Sequence, residues 1–176
     1  MNEKSMNQAF LDGQNLYMAT AKSTDPWSID FYKLRRYLKE KYKVETAYFF
    51  LGYTINDLES LYTKIQEAGF ILIFREHNSK MLSNKKGNVD SDIIFHVMKR
   101  LFKNELTGKV VLISNDGDYR QLVDFLIDEN KFLKILHPSK AYASSLYKKL
   151  GSEYYDFLDR PDIKRRLEKN KKRKAS

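Results

Sequence analysis

Val110-Val111-Leu112-Ile113-Ser114-Asn115-Asp116-Gly117-Asp118 is the stretch around which this chain is organised. It opens with four apolar, mostly β-branched residues, the pattern of a strand buried on both faces, as central parallel strands are. The run stops at Ser-Asn-Asp-Gly-Asp, a cluster of turn formers and helix N-caps. Tyr119, Leu122, Val123, Leu126 and Ile127 then recur at helical spacing. The stretch therefore reads as strand, tight turn and helix start. In open parallel sheets such turns lie at the carboxyl ends of the strands, where ligands bind. Asp116 and Asp118 are either helix caps attracted by the helix dipole or chemical groups. What else reaches the same edge decides between the two.

Outward from this stretch the same alternation repeats. Ala9-Phe10-Leu11 is a short apolar run ending at Asp12-Gly13. Trp27 to Tyr42 carries Ile29, Phe31, Leu34, Tyr37 and Leu38 on one side, a helix started by Asp25-Pro26 or Ser28. Val44 to Leu51 is a second strand. Asn56 to Ala68 is a helix ended by Gly69, and Phe70 to Phe74 is a third strand. Residues 75–88 (REHNSKMLSNKKGN) are polar and longer than a usual strand-to-helix turn. Val89 starts a helix with Ile93, Ile94, Val97, Met98, Leu101 and Phe102 facing inward. Phe132 to Leu136 is a fifth strand, Ala141 to Leu150 a helix, and Tyr154 to Leu158 a closing aromatic segment. Strands alternating with helices imply right-handed crossovers and an α/β fold with a parallel sheet of at least five strands, ordered 3-2-1-4-5.

Composition bounds the function. A length of 176 residues with 42% hydrophobic content suits one domain with a sizeable core. The absence of cysteine excludes disulfides, thiolate metal sites and a Cys nucleophile, and it fits a reducing cytoplasm. Three scattered histidines (His77, His96, His137) argue against a His-based zinc site. Met1 to Gln8 lack an apolar core, so no signal peptide is expected, nor any membrane span. Of the net charge of +9, residues 160–176 hold +7, from nine Lys/Arg against Asp162 and Glu168. The division is therefore a nearly neutral domain over residues 1–158 and a basic tail over 159–176. Such a tail contacts nucleic-acid phosphates or serves solubility.

The topology gathers carboxylates at one edge. Asp12 ends the first strand, Asp116 and Asp118 follow the fourth, and Asp90 and Asp92 begin the helix after the long loop. In a 3-2-1-4-5 order the first and fourth strands are neighbours, and a crevice opens between them. Five carboxylates around one crevice repel strongly, which a hard divalent cation, Mg²⁺ or Mn²⁺, relieves. Carboxylate-held Mg²⁺ without a His, Cys or Ser nucleophile suits phosphoryl transfer to water. Lys80, Lys85 and Lys86, in the long loop over the same edge, suit a polyanion. A haloacid-dehalogenase-type phosphatase needs an Asp two residues after the first, where Gln14 stands. A toprim domain wants Glu after its first strand, and a Walker loop is missing.

These residues resemble a known family. Phe10-Leu11-Asp12-Gly13-Gln14-Asn15-Leu16, Lys86-Gly87-Asn88-Val89-Asp90, Ile113-Ser114-Asn115-Asp116-Gly117-Asp118-Tyr119 and Leu136-His137-Pro138-Ser139-Lys140, with Ser144-Ser145-Leu146, are similar to the motifs of NYN domains. They match the LabA-like branch of the PIN-like nuclease group, over residues 8 to about 158. The resemblance implies a PIN-like Rossmannoid three-layer sandwich and a metal-dependent ribonuclease, expected to be an endonuclease. It puts the acidic positions on Asp12, Asp90, Asp116 and Asp118, with Asn15 and Asp92 beside them. The four aspartates would bind Mg²⁺ or Mn²⁺, Asn15 would orient a ligand or the scissile phosphate, and Lys80, Lys85, Lys86 and Lys140 would contact RNA. Asn115 departs from the Gly more usual in the family. The alternatives are a catalytically silent RNA-binding or scaffold module and a DNA flap-type nuclease with the same chemistry. A homodimer is compatible with all three.

Overall fold

The computed structural model describes residues 6–52, 58–75 and 89–170. Six strands, β1 (Asn7–Asp12), β2 (Val44–Leu51), β3 (Ile71–Phe74), β4 (Val110–Ile113), β5 (Phe132–His137) and β6 (Tyr155–Phe157), form a parallel sheet in the order β3-β2-β1-β4-β5-β6. The helices are α1 (Gly13–Thr20), α2 (Phe31–Tyr42), α3 (Glu59–Glu67), α4 (Asp90–Phe102), α5 (Arg120–Asp128) and α6 (Pro161–Leu167). None among the described residues is long and apolar enough to cross a membrane.

Strand periodicity explains the layers. Alternate side chains leave a strand on opposite faces. Ala9 and Leu11 of β1, with Val111 and Ile113 of β4, enter a core with α1, α2, α3 and α6. Phe10, Val110 and Leu112 enter a second core with α4 and α5. Each fully buried large apolar side chain contributes roughly 1.5–3 kcal/mol, so a strand apolar on both faces is most stable at the centre of the sheet. Right-handed crossovers do the rest. Moving from β1 out to β3 lays α1, α2 and α3 on one face. Returning to β4 and on to β5 lays α4 and α5 on the other. The reversal falls between β1 and β4, so the crevice opens at their carboxyl ends.

Several elements differ from the expectations. The first long helix starts at Phe31, because Asp30 caps it by accepting from the Lys33 N–H at 3.2 Å. Trp27 and Ile29 are buried ahead of it, where Ile29 pairs with Glu168 and the Asp30 N–H donates to the Leu167 carbonyl. Residues 141–150 hold only a 3-10 turn, Ser145–Lys149, and the aromatic segment after it supplies the sixth strand. On α4 the inward face is carried by Ile93 and Val97, whereas Met98 is partly exposed and Phe102 is 89% exposed. Asn56 and nearly all of the 75–88 loop lie outside the described residues.

Candidate metal centre

Two turns at the carboxyl edge are built alike, each with an aspartate as cap. Asp12 ends β1 with extended backbone and accepts from the Asn15 N–H at 2.9 Å, which starts α1. Gly13 is required there: a Cβ would press on the Phe49 ring and lie 2.6 Å from the Phe50 carbonyl oxygen. Asp116 follows β4 and accepts from the Asp118 N–H at 3.0 Å, starting a 3-10 turn, Gly117–Tyr119, that runs into α5. At Gly117 a Cβ would lie 2.6 Å from the Ser144 Oγ, so a larger residue there would have to displace that hydroxyl. Capping is thus a real role of both aspartates, and it leaves carboxylate oxygens free for other partners.

Asp90, in the first turn of α4, meets the β4 turn. One carboxylate oxygen each from Asp90, Asp116 and Asp118 lie within 4.8 Å of one another, with Asp90 buried, Asp116 half-buried and Asp118 exposed. Asp12 joins this group through Tyr119. The buried Tyr119 Oη is 2.6 Å from Asp90 Oδ1 and 3.2 Å from Asp12 Oδ2. Its single proton serves one carboxylate at a time. Burial pushes the Asp12 carboxyl up to about 6, the Asn15 N–H opposes this, and the charges of Asp90 and Asp116 add to the rise. Burial, with Asp12 and Asp90 beside it, raises the Tyr119 hydroxyl far above its ordinary value and keeps it protonated. Three convergent carboxylates flanked by a carboxyl that gives up its proton reluctantly fit a hard divalent cation with oxygen ligands.

The turn itself is braced. Asn15 Oδ1 accepts from the Asn115 backbone N–H at 2.7 Å. The Tyr147 hydroxyl donates to the Asp116 carbonyl at 2.5 Å, and the Ser144 N–H donates to the Asn115 carbonyl. His137, neutral through burial, donates from Nδ1 to the Ser114 carbonyl at 2.9 Å. A cavity of about 530 Å³ opens beside Asp116, lined by Asn15, Lys22, Asn115, Tyr142 and Ser144 among others.

The structure brings together Asp90, Asp116 and Asp118, sets Asp12 behind them, and uses Asn15 to hold the turn. Asp92 is not in the group. Two positions along a helix turn a side chain about 200° away, and Asp92 faces Arg75 at 3.9 Å. The expectation of five carboxylates about one crevice is therefore corrected to three converging and one adjoining. Lys80, Lys85 and Lys86 lie outside the described residues. Lys140 is exposed, its backbone N–H donating to Asp159, on a second cavity beyond Ser144. Tyr119 and Lys22 escaped the sequence reading. Tyr119 fitted the apolar face of a helix, and its partners stand 29 and 107 residues away.

The family model for the NYN domain matches residues 8–155 of the chain. Among solved structures, the fold is similar to a crystal structure of a protein of unknown function from Vibrio parahaemolyticus. The TM-score is 0.75 at 16% identity, covering 96% of this chain and 98% of that one. No curated protein matches.

Proposed function

This chain belongs to the NYN domain family, and we propose that it is a Mg²⁺- or Mn²⁺-dependent ribonuclease of the LabA-like branch that cuts within RNA strands. The observation that carries the reading is the meeting of the Asp90, Asp116 and Asp118 carboxylates at the carboxyl edge of the sheet. These three would hold the cation, with Asp12 joining them through Tyr119. A bound divalent ion polarises a phosphate and lowers the pKa of an attacking water. The protein's own share is position. Tyr119 pins Asp90, and Asn15 fixes the backbone next to Asp116. Lys140 and the lysines at 80, 85 and 86 would neutralise the RNA backbone, helped by the basic residues that follow position 159. A chain without cysteine suits the cytoplasm as the place of action.

The test is incubation of labelled single-stranded RNA, duplex RNA and DNA with the protein in Mn²⁺ or EDTA, beside the Asp116→Asn variant. The expected outcome is RNA cleavage in Mn²⁺ alone. Asp116→Asn abolishes it while binding RNA as well or better, since a ligand and a repulsive charge leave together. A variant that cleaves like the parent overturns the metal role. RNA binding with no cleavage under any condition makes the chain a binding module. Cleavage confined to DNA makes it a deoxyribonuclease.

A further inference from the structure

Beyond Ser144 lies a second cavity of about 460 Å³. Four rings line it: His137 at the end of β5, Tyr147 on the 3-10 turn, and Tyr155 and Phe157 on β6. Residues 155 and 157 share a strand face, so both rings point the same way. His137 is the hub, with ring centroids 5.0 Å from Tyr147, 5.5 Å from Phe157 and 6.4 Å from Tyr155. Tyr155 and Phe157 themselves meet edge-on at 5.7 Å. Tyr147 and His137 are core residues, but Tyr155 and Phe157 keep partly open faces toward the cavity. Lys140 and Lys148 stand on the same lining.

From this arrangement we infer that the cavity seats an unpaired nucleobase of the substrate strand, next to the phosphate handled by the aspartates. The inference rests on the nuclease reading for the placement of that phosphate. Partly open rings stack bases of any sequence, and flanking lysines take the phosphates on either side. The two cavities are neighbours. Ser144 lines both, and Tyr147, a wall of the second, donates its hydroxyl to the Asp116 carbonyl in the first. A base held among these rings is thus registered against the metal-holding turn by one hydrogen bond. Duplex RNA keeps its bases stacked inside the helix and offers nothing to this cavity. The substrate class is therefore a single-stranded or looped segment.

The test uses the full chain in EDTA, where binding is read without cleavage. The probes are a ten-nucleotide single-stranded RNA carrying 2-aminopurine at one position, scanned along the strand, the same strands with an abasic ribose there, and free 2-aminopurine riboside monophosphate. At one position the fluorescence should be quenched, and the abasic strand should bind on the order of 5- to 150-fold more weakly. Tyr155→Ala should lose the same factor on the intact strand and nothing further on the abasic one. Tyr155→Leu preserves apolar bulk, so it reports the lost ring if the alanine variant does not fold. Equal binding of intact and abasic strands by the parent at every position overturns the base subsite, and cleavage in Mn²⁺ would leave the nuclease reading standing. Base discrimination without any cleavage keeps the subsite and removes the nuclease. Free nucleotide binding as tightly as the strand would overturn the strand assignment in favour of a mononucleotide site.

Discussion

Tyr119 and Asp12 make the acidic centre more than a set of ligands. Replacing Tyr119 with Phe removes a hydroxyl held between two carboxylates in a buried place. Hydrogen bonds to charged groups contribute about 1.5–3 kcal/mol, and a group that orients a metal ligand typically sets 10- to 100-fold in affinity. The expected outcome for Tyr119→Phe is weaker Mn²⁺ binding by that factor in a calorimetric titration, with the protein still folded. Unchanged affinity would make Tyr119 a packing residue only. For Asp12, the folded value of about 6 lies above the ordinary 3.8, so the folded chain holds this proton more tightly than the unfolded chain does. Without metal, this is a penalty that is absent below pH 4 and complete above pH 6, on the order of 3 kcal/mol. Asp12→Asn preserves the cap and removes the charge. Its denaturation midpoint should rise relative to the parent as pH goes from 4 to 7, and a constant difference would contradict the shift. His137, lowered by burial, pulls the other way but is common to both proteins. The carboxylates were legible in the sequence because each ends a strand or opens a helix. Their partition was not, because it depends on a hydroxyl arriving from another turn and on which way Asp92 leaves its helix.

At the level of elements, legibility followed burial. Val110–Ile113 and the Ala47–Phe50 part of β2 are buried on both faces, so few alternatives compete with a central strand. The helix start was harder, since Asp25, Ser28 and Asp30 are all acceptable caps. Tertiary contact decided it: the chain from Trp27 to Ile29 runs extended against the end of α6, which leaves Asp30 as the first residue free to cap. Asp30→Ala should therefore cost about 1 kcal/mol in chemical denaturation, and Ser28→Ala close to nothing. Equal losses would mean that the cap is shared. Residues 141–150 read as a helix in the sequence. Yet Tyr147 is drawn to the Asp116 carbonyl and Ser144 to Asn115, and these long-range bonds compete with an α-helical ladder.

Across the whole molecule, charge and chemistry are segregated: the aspartates gather at one edge and the basic surplus lies at the end of the sequence. Lys169 and Asn170 are tied to the body, through Ser28 and Lys33, so the test of the tail begins at Lys171. Deleting Lys171 to Ser176 removes four positive charges. RNA binding should weaken, and its salt slope should flatten by up to about 3 if all four meet phosphates, while the cleavage rate at saturating RNA holds. An unchanged slope would assign those contacts to the folded part. The seam between α6 and the start of α2 has a temporal meaning as well. Ile163 and Leu167 are core residues beneath α2, and β1 waits for β4 before its second edge is paired. At 5–20 residues per second, roughly 8–30 s separate the making of β1 from the making of α6 on the ribosome. Through that interval the nascent chain carries an apolar layer it cannot yet cover. Its encounters with chaperones and proteases are then governed by the pace of translation as much as by the strength of the finished fold.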